Sequence, residues 1–142
     1  MAINVKVRAL EGKYSDIVLG VVDSSDRGFN FRELQVTFAK TLRAGMLVDK
    51  TGVPVAPGDA AKAYGVLVDR DLLPGVDLDR VELIEGEKYA FNTAIKGVTF
   101  NFYALCFADG TAITDAAAEA LEDAGNNHVT KHYFGTYGYA KP

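Results

Sequence analysis

Residues 98–103 read Val-Thr-Phe-Asn-Phe-Tyr, and residues 34–38 read Leu-Gln-Val-Thr-Phe. Apolar side chains stand at every second position, and successive side chains of a β-strand point to opposite faces of a sheet. Both stretches therefore predict strands with one buried face. Residues 3–8 (Ile-Asn-Val-Lys-Val-Arg) have the same alternation, and residues 80–84 (Arg-Val-Glu-Leu-Ile) have it less regularly. A period of two therefore dominates the chain.

Two shorter apolar runs, Met46–Val48 and Val66–Val68, predict strands that are covered on both faces. Turn residues rich in glycine and proline separate these segments. Short strands with frequent turns are typical of a small β-barrel or β-sandwich. The alternation slips by one residue at Arg32-Glu33, which indicates either a β-bulge or a short turn.

One segment in the C-terminal half predicts a helix. Thr114 is a suitable N-cap, residues 115–124 are rich in alanine, and Gly125 suits the left-handed position that follows a helix. The side that should lie on the sheet is formed by Ala117, Ala120, Leu121 and Ala124. The predicted fold class is mainly β (α+β), a small β-barrel or sandwich with one short helix. No linker or repeat divides residues 1–142, so we expect a single domain.

The composition predicts a folded, soluble protein. The chain has 142 residues, 49% of them hydrophobic and 24% charged, and no apolar run approaches the roughly 20 residues of a transmembrane helix. The single cysteine excludes an intramolecular disulfide. The N-terminus alternates instead of forming the apolar segment of a secretory signal, so we expect synthesis in a cytoplasm. The net charge is -4, and the acidic stretch from Asp69 to Glu87 disfavours direct binding to nucleic acid.

No arrangement of residues predicts catalysis, a cofactor or a metal. His128 and His132 are spaced i,i+4, but on a strand they would lie about 13 Å apart, too far for one ion. Cys106 lies in an apolar run, which predicts a core thiol. The acidic stretch is compatible with a metal site, although a solvated loop explains it more simply. Residues 74–80 faintly resemble the nucleoside-binding segment of deoxyuridine triphosphatases, whose phosphate-binding loop the chain lacks.

Short motifs follow one another in order between Leu34 and Lys131. They are Leu42-Arg43-Ala44-Gly45-Met46-Leu47-Val48, Pro57-Gly58-Asp59, Ala63-Tyr64-Gly65-Val66-Leu67-Val68, Val81-Glu82-Leu83-Ile84-Glu85-Gly86, and Asp109-Gly110-Thr111-Ala112-Ile113-Thr114 at the start of the predicted helix. Each motif alone is unspecific. Their order and spacing resemble the bacteriophage head decoration proteins, the family of the phage lambda decoration protein.

This resemblance implies a structural virion protein with a β-tulip-like fold and with no enzymatic activity or cofactor. Its partner would be the phage major capsid protein of an HK97-type shell, to whose outer surface it would bind as a homotrimer once the head has expanded. There it would cement neighbouring capsid proteins against the pressure of the packaged genome. No direct contact with nucleic acid or membrane is expected. The alternatives are another virion β-module, in the tail, the connector or a receptor-binding accessory domain, and a small β-barrel enzyme.

Both ends of the chain are candidate contact sites. Residues 1–10 are a possible capsid-binding arm, which would add a strand to a sheet of the capsid protein, although pairing within the protein's own sheet explains the same pattern. The contact residues of this arm would be Ile3, Val5, Lys6, Val7 and Arg8. Residues 128–142 form an aromatic, glycine-rich tail, which is either a last strand or an arm that docks on a neighbouring protomer. The interface residues of this tail would be Tyr133, Phe134, Tyr137 and Tyr139.

Overall fold

The computed structural model of the protein describes residues 14–22, 27–73 and 83–131. These ranges contain seven β-strands and three α-helices. The strands are β1 (Val18–Val21), β2 (Phe31–Thr37), β3 (Leu47–Val48), β4 (Gly65–Leu67), β5 (Lys88–Ala94), β6 (Val98–Asn101) and β7 (His128–Thr130). The helices are α1 (Tyr14–Ile17), α2 (Arg27–Asn30) and α3 (Asp115–Gly125), and 3-10 turns lie at Pro57–Lys62, Arg70–Leu72 and Phe102–Ala104.

Two sheets form the fold. The larger sheet has four antiparallel strands in the order β2-β5-β4-β3, and the smaller has the order β1-β6-β7, in which β6 and β7 are parallel. Residues 95–97 carry the chain from β5 in the larger sheet to β6 in the smaller one. The prediction of a small, mainly β fold with one short helix in the C-terminal half is confirmed. Among the described residues the sheets stay separate, as in a sandwich, and do not close into a barrel.

The strands predicted at residues 34–38, 46–48 and 66–68 are β2, β3 and β4. Strand β2 pairs with β5 in unbroken register, from Phe31 opposite Ala94 to Thr37 opposite Lys88. The slip at Arg32-Glu33 is therefore neither a bulge nor a turn, because both residues lie within this unbroken pairing. It arises because Phe31 and Leu34 lie on opposite faces of one regular strand. Strands β3 and β4 are buried along their whole length, as their continuous apolar sequences predicted.

Strand β6 ends two residues before the position that the sequence predicted. The Oδ1 of Asn101 accepts a hydrogen bond from the backbone N–H of Tyr103 at 3.1 Å and begins a 3-10 turn. This local bond competes with the sheet for the backbone, as asparagine side chains commonly do. In the strand predicted at residues 80–84, the described part begins at Leu83, and neither Leu83 nor Ile84 belongs to a strand.

Both sheets and α3 contribute to one hydrophobic core. The largest fully buried side chains are Phe91, Phe100, Phe107, Ile17, Met46, Leu47, Leu67, Ile95, Leu105 and Leu121. Burying a side chain of this size stabilises a fold by about 1.5–3 kcal/mol relative to leaving it exposed. Cys106 is a buried core thiol, as predicted, and the Nε of Arg43 donates a hydrogen bond to its Sγ at 3.3 Å.

Helix α3 begins where the sequence predicted but ends one residue later. The Oγ1 of Thr114 accepts a hydrogen bond from the backbone N–H of Ala117 at 3.4 Å. Gly125 is the last helical residue, and Asn126 takes the left-handed conformation with φ 53°. The prediction that Gly125 occupies the left-handed position is therefore wrong. Glycine is required there because a Cβ would overlap the carbonyl oxygen of Ile95.

The buried side of α3 is also rotated relative to the prediction. Its buried residues are Ala117, Ala118, Leu121 and Gly125. Ala120 is half-buried and Ala124 is exposed. The C-terminal end of α3 approaches the turn between β5 and β6, and only glycine at position 125 allows this approach. The helix therefore turns this side inward.

Gly125→Ala should lower the free energy of unfolding by about 1–3 kcal/mol, because the added Cβ forces α3 away from this turn. Urea denaturation followed by circular dichroism measures the change. Gly58→Ala is the matched control, since a Cβ at Gly58 would meet no atom within 4 Å. The control should change stability by less than about 0.5 kcal/mol. Equal effects of the two substitutions would contradict this explanation of Gly125.

Two aspartates close turns of the same kind. The Oδ1 of Asp49 accepts hydrogen bonds from N and Oγ1 of Thr51 at 2.8 and 2.7 Å, and from N of Val53 at 3.0 Å. The Oδ1 of Asp109 accepts hydrogen bonds from N and Oγ1 of Thr111 at 3.0 and 2.6 Å. Partial burial acts to raise the pKa of Asp49, but the hydrogen bonds outweigh it and hold the pKa below 3.8. The hydrogen bonds from Thr111 likewise lower the pKa of Asp109.

Part of the acid sensitivity of stability should come from Asp109. A carboxylate whose pKa falls on folding stabilises the folded state above its unfolded pKa of 3.8, and it loses this contribution as the pH drops through the lower folded value. Asp109→Asn keeps an acceptor for Thr111 but carries no charge. The difference in unfolding free energy between wild type and variant should therefore shrink between about pH 6 and about pH 2. Chemical denaturation across this range measures it, and a constant difference would contradict the role of Asp109.

Candidate functional site

A groove of about 770 Å³ lies between the two sheets. One wall comes from α1 and β1, and the other comes from the end of α2, the start of β2, the middle of β5 and the segment after β4. Its lining residues are Tyr14, Val21, Asn30, Phe31, Arg32, Glu33, Val68, Arg70, Leu73 and Asn92. Arg32 and Glu33 belong to β2, which is the edge strand of the larger sheet among the described residues.

The walls of the groove are mainly apolar. Val68 is 3% exposed, and Val21, Phe31 and Leu73 are half-buried. The ring of Tyr14 is 38% exposed at the start of the described chain. Half-buried apolar side chains around a concave surface are typical of sites that bind a ligand or a partner.

The buried polar residue of the groove is Asn30, which is 0% exposed. Its Nδ2 donates hydrogen bonds to the carbonyl oxygens of Val22 and Lys96, both at 2.8 Å. Its own carbonyl oxygen accepts a hydrogen bond from N of Ile95 at 2.8 Å. The Oδ1 has no hydrogen-bond partner among the described residues. A buried acceptor left in this state costs the fold about 1–3 kcal/mol, and the oxygen is closed to the groove because the atom itself is buried.

The rim of the groove is charged. Arg32, Glu33 and Arg70 are exposed, and none of them forms an ion pair within the described ranges. Arg70 begins a 3-10 turn that Asp69 caps, since the Oδ1 of Asp69 accepts a hydrogen bond from N of Asp71 at 2.9 Å. The Oδ2 of Asp69 accepts another from N of Asn92 on β5 at 2.8 Å. Asp69, the first acid of the acidic stretch, is therefore a structural residue that ties this turn to β5.

An exposed apolar patch adjoins the groove. It consists of Val22, which is 65% exposed, and Phe29, which is 45% exposed. The Nζ of Lys96 lies 5.9 Å from the centroid of the Phe29 ring, within the range of a cation–π interaction. The patch and the groove share Asn30 as a neighbour, since Asn30 binds the carbonyl oxygens of both Val22 and Lys96. Asn30 thus connects the backbone beside the groove to the backbone of the patch.

The residues that the sequence singled out for contacts lie outside the described ranges. This applies to the arm residues Ile3, Val5, Lys6, Val7 and Arg8 and to the tail residues Tyr133, Phe134, Tyr137 and Tyr139. Their roles stay predictions. Of the tail beginning at residue 128, His128–Thr130 forms β7, which pairs in parallel with β6.

The residues considered for chemistry are not assembled into a reactive site in the described part of the chain. His128 is exposed, and its Nδ1 lies 3.6 Å from Oε2 of Glu122, while His132 lies outside the described ranges. Among the residues described, no group of three or more His, Cys, Asp or Glu side chains is placed to hold a metal ion. Nor do the helices in these ranges have the length and apolar character that crossing a bilayer needs.

Sequence reasoning did not find the groove, although one signal was present. Arg32 stands two residues before Leu34, so it shares the face that Leu34 and Val36 turn toward the core. An arginine on the apolar side of a strand indicates that this end of the strand meets solvent or a partner. Asn30, Arg70 and Asn92 offered no comparable signal, because only the folded chain brings them together.

A family model described as bacteriophage PhiTE minor capsid decoration protein matches residues 3–142 of the chain. No curated protein and no solved structure matches the chain.

Proposed function

Because the chain belongs to the bacteriophage PhiTE minor capsid decoration protein family, we propose that it binds the outer surface of the expanded icosahedral head and cements neighbouring major capsid proteins. As a capsid decoration protein it is a structural component of the virion. The family match over nearly the whole chain is the observation that carries this proposal. Binding to the major capsid protein of an HK97-type shell is the finer part of it.

The physical basis of cementing is linkage. A protein that binds the expanded lattice and not the unexpanded one stabilises the expanded state by mass action, in proportion to the logarithm of its free concentration over Kd. The groove and the apolar patch support this adhesive role, because they combine exposed apolar area at Val22 and Phe29 with rim charges that form no ion pair within the described ranges. Non-enzymatic action is typical of such structural proteins, and the proposal requires no bound cofactor.

The proposed assembly is a homotrimer on the capsid, with residues 1–142 as one domain. Linked copies bind together more firmly than one copy does, because each bound copy raises the local concentration of the others. We assign the contact between protomers to the tail residues Tyr133, Phe134, Tyr137 and Tyr139. Tyrosine suits this task because it buries a large rigid area and keeps one hydroxyl for a hydrogen bond.

The proposed capsid contact of the N-terminal arm is strand addition by residues 1–10, through Ile3, Val5, Lys6, Val7 and Arg8. Main-chain hydrogen bonds would supply affinity, and the alternating side chains would fix the register. Lys6 and Arg8 would face outward, toward the capsid surface. The proposal also includes synthesis in the host cytoplasm. It includes no direct contact with nucleic acid, in line with a net charge of -4.

The full chain should co-sediment with expanded heads and not with unexpanded shells of the same phage. Deletion of residues 2–10 should weaken binding to expanded heads at least tenfold, about 1.4 kcal/mol, because the strand contact is lost. Electron microscopy of the mixed samples locates the bound protein on the shell.

Denaturation of the deletion variant is the control for this experiment. If residues 2–10 pair within the protein's own sheet, the deletion lowers the unfolding free energy and leaves the affinity per folded molecule unchanged, which would contradict the arm contact. Equal binding of the full chain to both shell forms, or binding to cell-surface glycans instead of heads, would contradict the decoration function itself.

Replacing the tail tyrosines should dissociate the oligomer. Tyr137→Ala with Tyr139→Ala removes two aromatic anchors, and interface aromatics often contribute about 2 kcal/mol or more each. Electron microscopy of expanded heads mixed with the variant should show single copies or empty positions where the wild type forms trimers. Lys141→Ala is the matched control in the same tail and should leave the trimer intact. A trimer that survives the double substitution would assign the protomer contact to another surface.

A further inference from the structure

We propose that the inter-sheet groove is the binding site for an extended, acidic and apolar segment of the major capsid protein. This inference rests on the proposed function and names the surface and the ligand chemistry that function would use. It is independent of the N-terminal arm, because it depends only on described residues.

The first argument is shape. A volume of about 770 Å³ falls within the range of about 300–1,000 Å³ that is typical of pockets that enclose a ligand. The groove runs past β2, the edge strand of the larger sheet, whose only strand partner among the described residues is β5. An extended chain can lie along such an edge and place every second side chain in the groove. The apolar positions of the segment would then contact Phe31, Val68 and Leu73.

The second argument is the polar floor. Both N–H groups of the Asn30 amide are held by the carbonyl oxygens of Val22 and Lys96. The amide therefore cannot turn to satisfy its own Oδ1, which stays without a partner in the described part of the molecule. The Asn30 amide therefore holds the floor of the groove rigid, and a preformed groove loses little conformational entropy when a segment binds.

The third argument is charge. The lining residues include two arginines and one glutamate, so they carry a net charge of +1 on a chain whose net charge is -4, while Asp69 and Asp71 flank Arg70 in the sequence. Arg32 and Arg70 have no ion pair in the described ranges and can bind carboxylates in bidentate geometry. The apolar walls favour a peptide over a nucleic-acid phosphate, since a phosphate backbone has nothing to bury against Phe31 and Leu73.

Charge reversal at the rim tests the proposal on expanded heads. Arg32→Glu combined with Arg70→Glu should weaken binding of the full chain by at least roughly tenfold and should reduce its salt dependence. Lys88→Glu is the matched control, because Lys88 is exposed on β5 of the same sheet, outside the groove. Lys88→Glu changes the charge by the same amount as each of the two arginine substitutions, and it should alter the affinity for expanded heads by less than about twofold.

Photo-crosslinking identifies the occupant. The photoreactive residue p-benzoylphenylalanine replaces the groove residue Tyr14 in one variant and Tyr64, which lies outside the groove, in a control variant. On expanded heads the probe at position 14 should crosslink to an acidic segment of the capsid protein. Crosslinks to residues 74–82 of the same chain, or to a second copy only, would overturn the proposal.

The two proposals fail in distinguishable ways. If wild-type protein does not bind expanded heads, the proposed function fails. If wild type binds and the variant with both arginines reversed binds equally well, the function stands and the groove assignment is overturned. The assignment is also overturned if the reversal lowers the unfolding free energy but not the affinity of the folded protein, because the arginines then serve only the fold.

Discussion

The buried amide of Asn127 fixes the relation between the two sheets. Its Nδ2 donates hydrogen bonds to the carbonyl oxygens of Ile95 and Leu121 at 3.1 and 2.9 Å, and its Oδ1 accepts one from N of Val98 at 3.0 Å. One side chain thus ties the end of α3 to both ends of the turn between β5 and β6. Because β5 belongs to the larger sheet and β6 to the smaller one, this turn determines how the sheets face each other. A fully satisfied buried amide rigidifies such a junction, whereas a partly satisfied one destabilises it.

Asn30 holds the same turn from the other side, and its incomplete hydrogen bonding separates its role from that of Asn127. The side-chain amide of Asn127 makes its hydrogen bonds within the junction, so its role is structural. Asn30 binds the carbonyl oxygens of Val22 and Lys96 but leaves its Oδ1 without a partner in the described residues. This unsatisfied acceptor is buried and does not reach the groove, so it lowers the stability of the fold. The hydrogen bonds of the junction are therefore complete on the side of α3 and incomplete on the side of the groove.

The sequence predicted the parts of the fold that depend on local pattern. Local pattern was sufficient to predict β2 from the alternation at residues 34–38, β3 and β4 from their apolar runs, and α3 from its cap. The resemblance to phage head decoration proteins is confirmed by the family match. Strand β5 was not predicted, although it is a central strand, because one of its inward positions is the polar Thr93. That hydroxyl donates to the carbonyl oxygen of Phe91 at 3.1 Å, which makes it compatible with full burial. Periodicity based on apolar residues cannot detect such a position. The groove could not be predicted, since its walls come from residues as far apart as Tyr14 and Asn92.

The distribution of charge explains how an acidic protein can be selective for an acidic partner. A net charge of -4 opposes nonspecific association with other acidic surfaces. The groove border opposes this general repulsion only locally, through Arg32 and Arg70, so attraction is felt within about 10 Å of the rim at ordinary ionic strength. Encounter is then favoured at one surface, and the apolar walls determine whether the bound segment stays. Specificity arises because the bound segment needs both a carboxylate and apolar side chains. A segment with a carboxylate alone leaves Phe31 and Leu73 exposed. A segment with apolar side chains alone offers Arg32 and Arg70 no carboxylate.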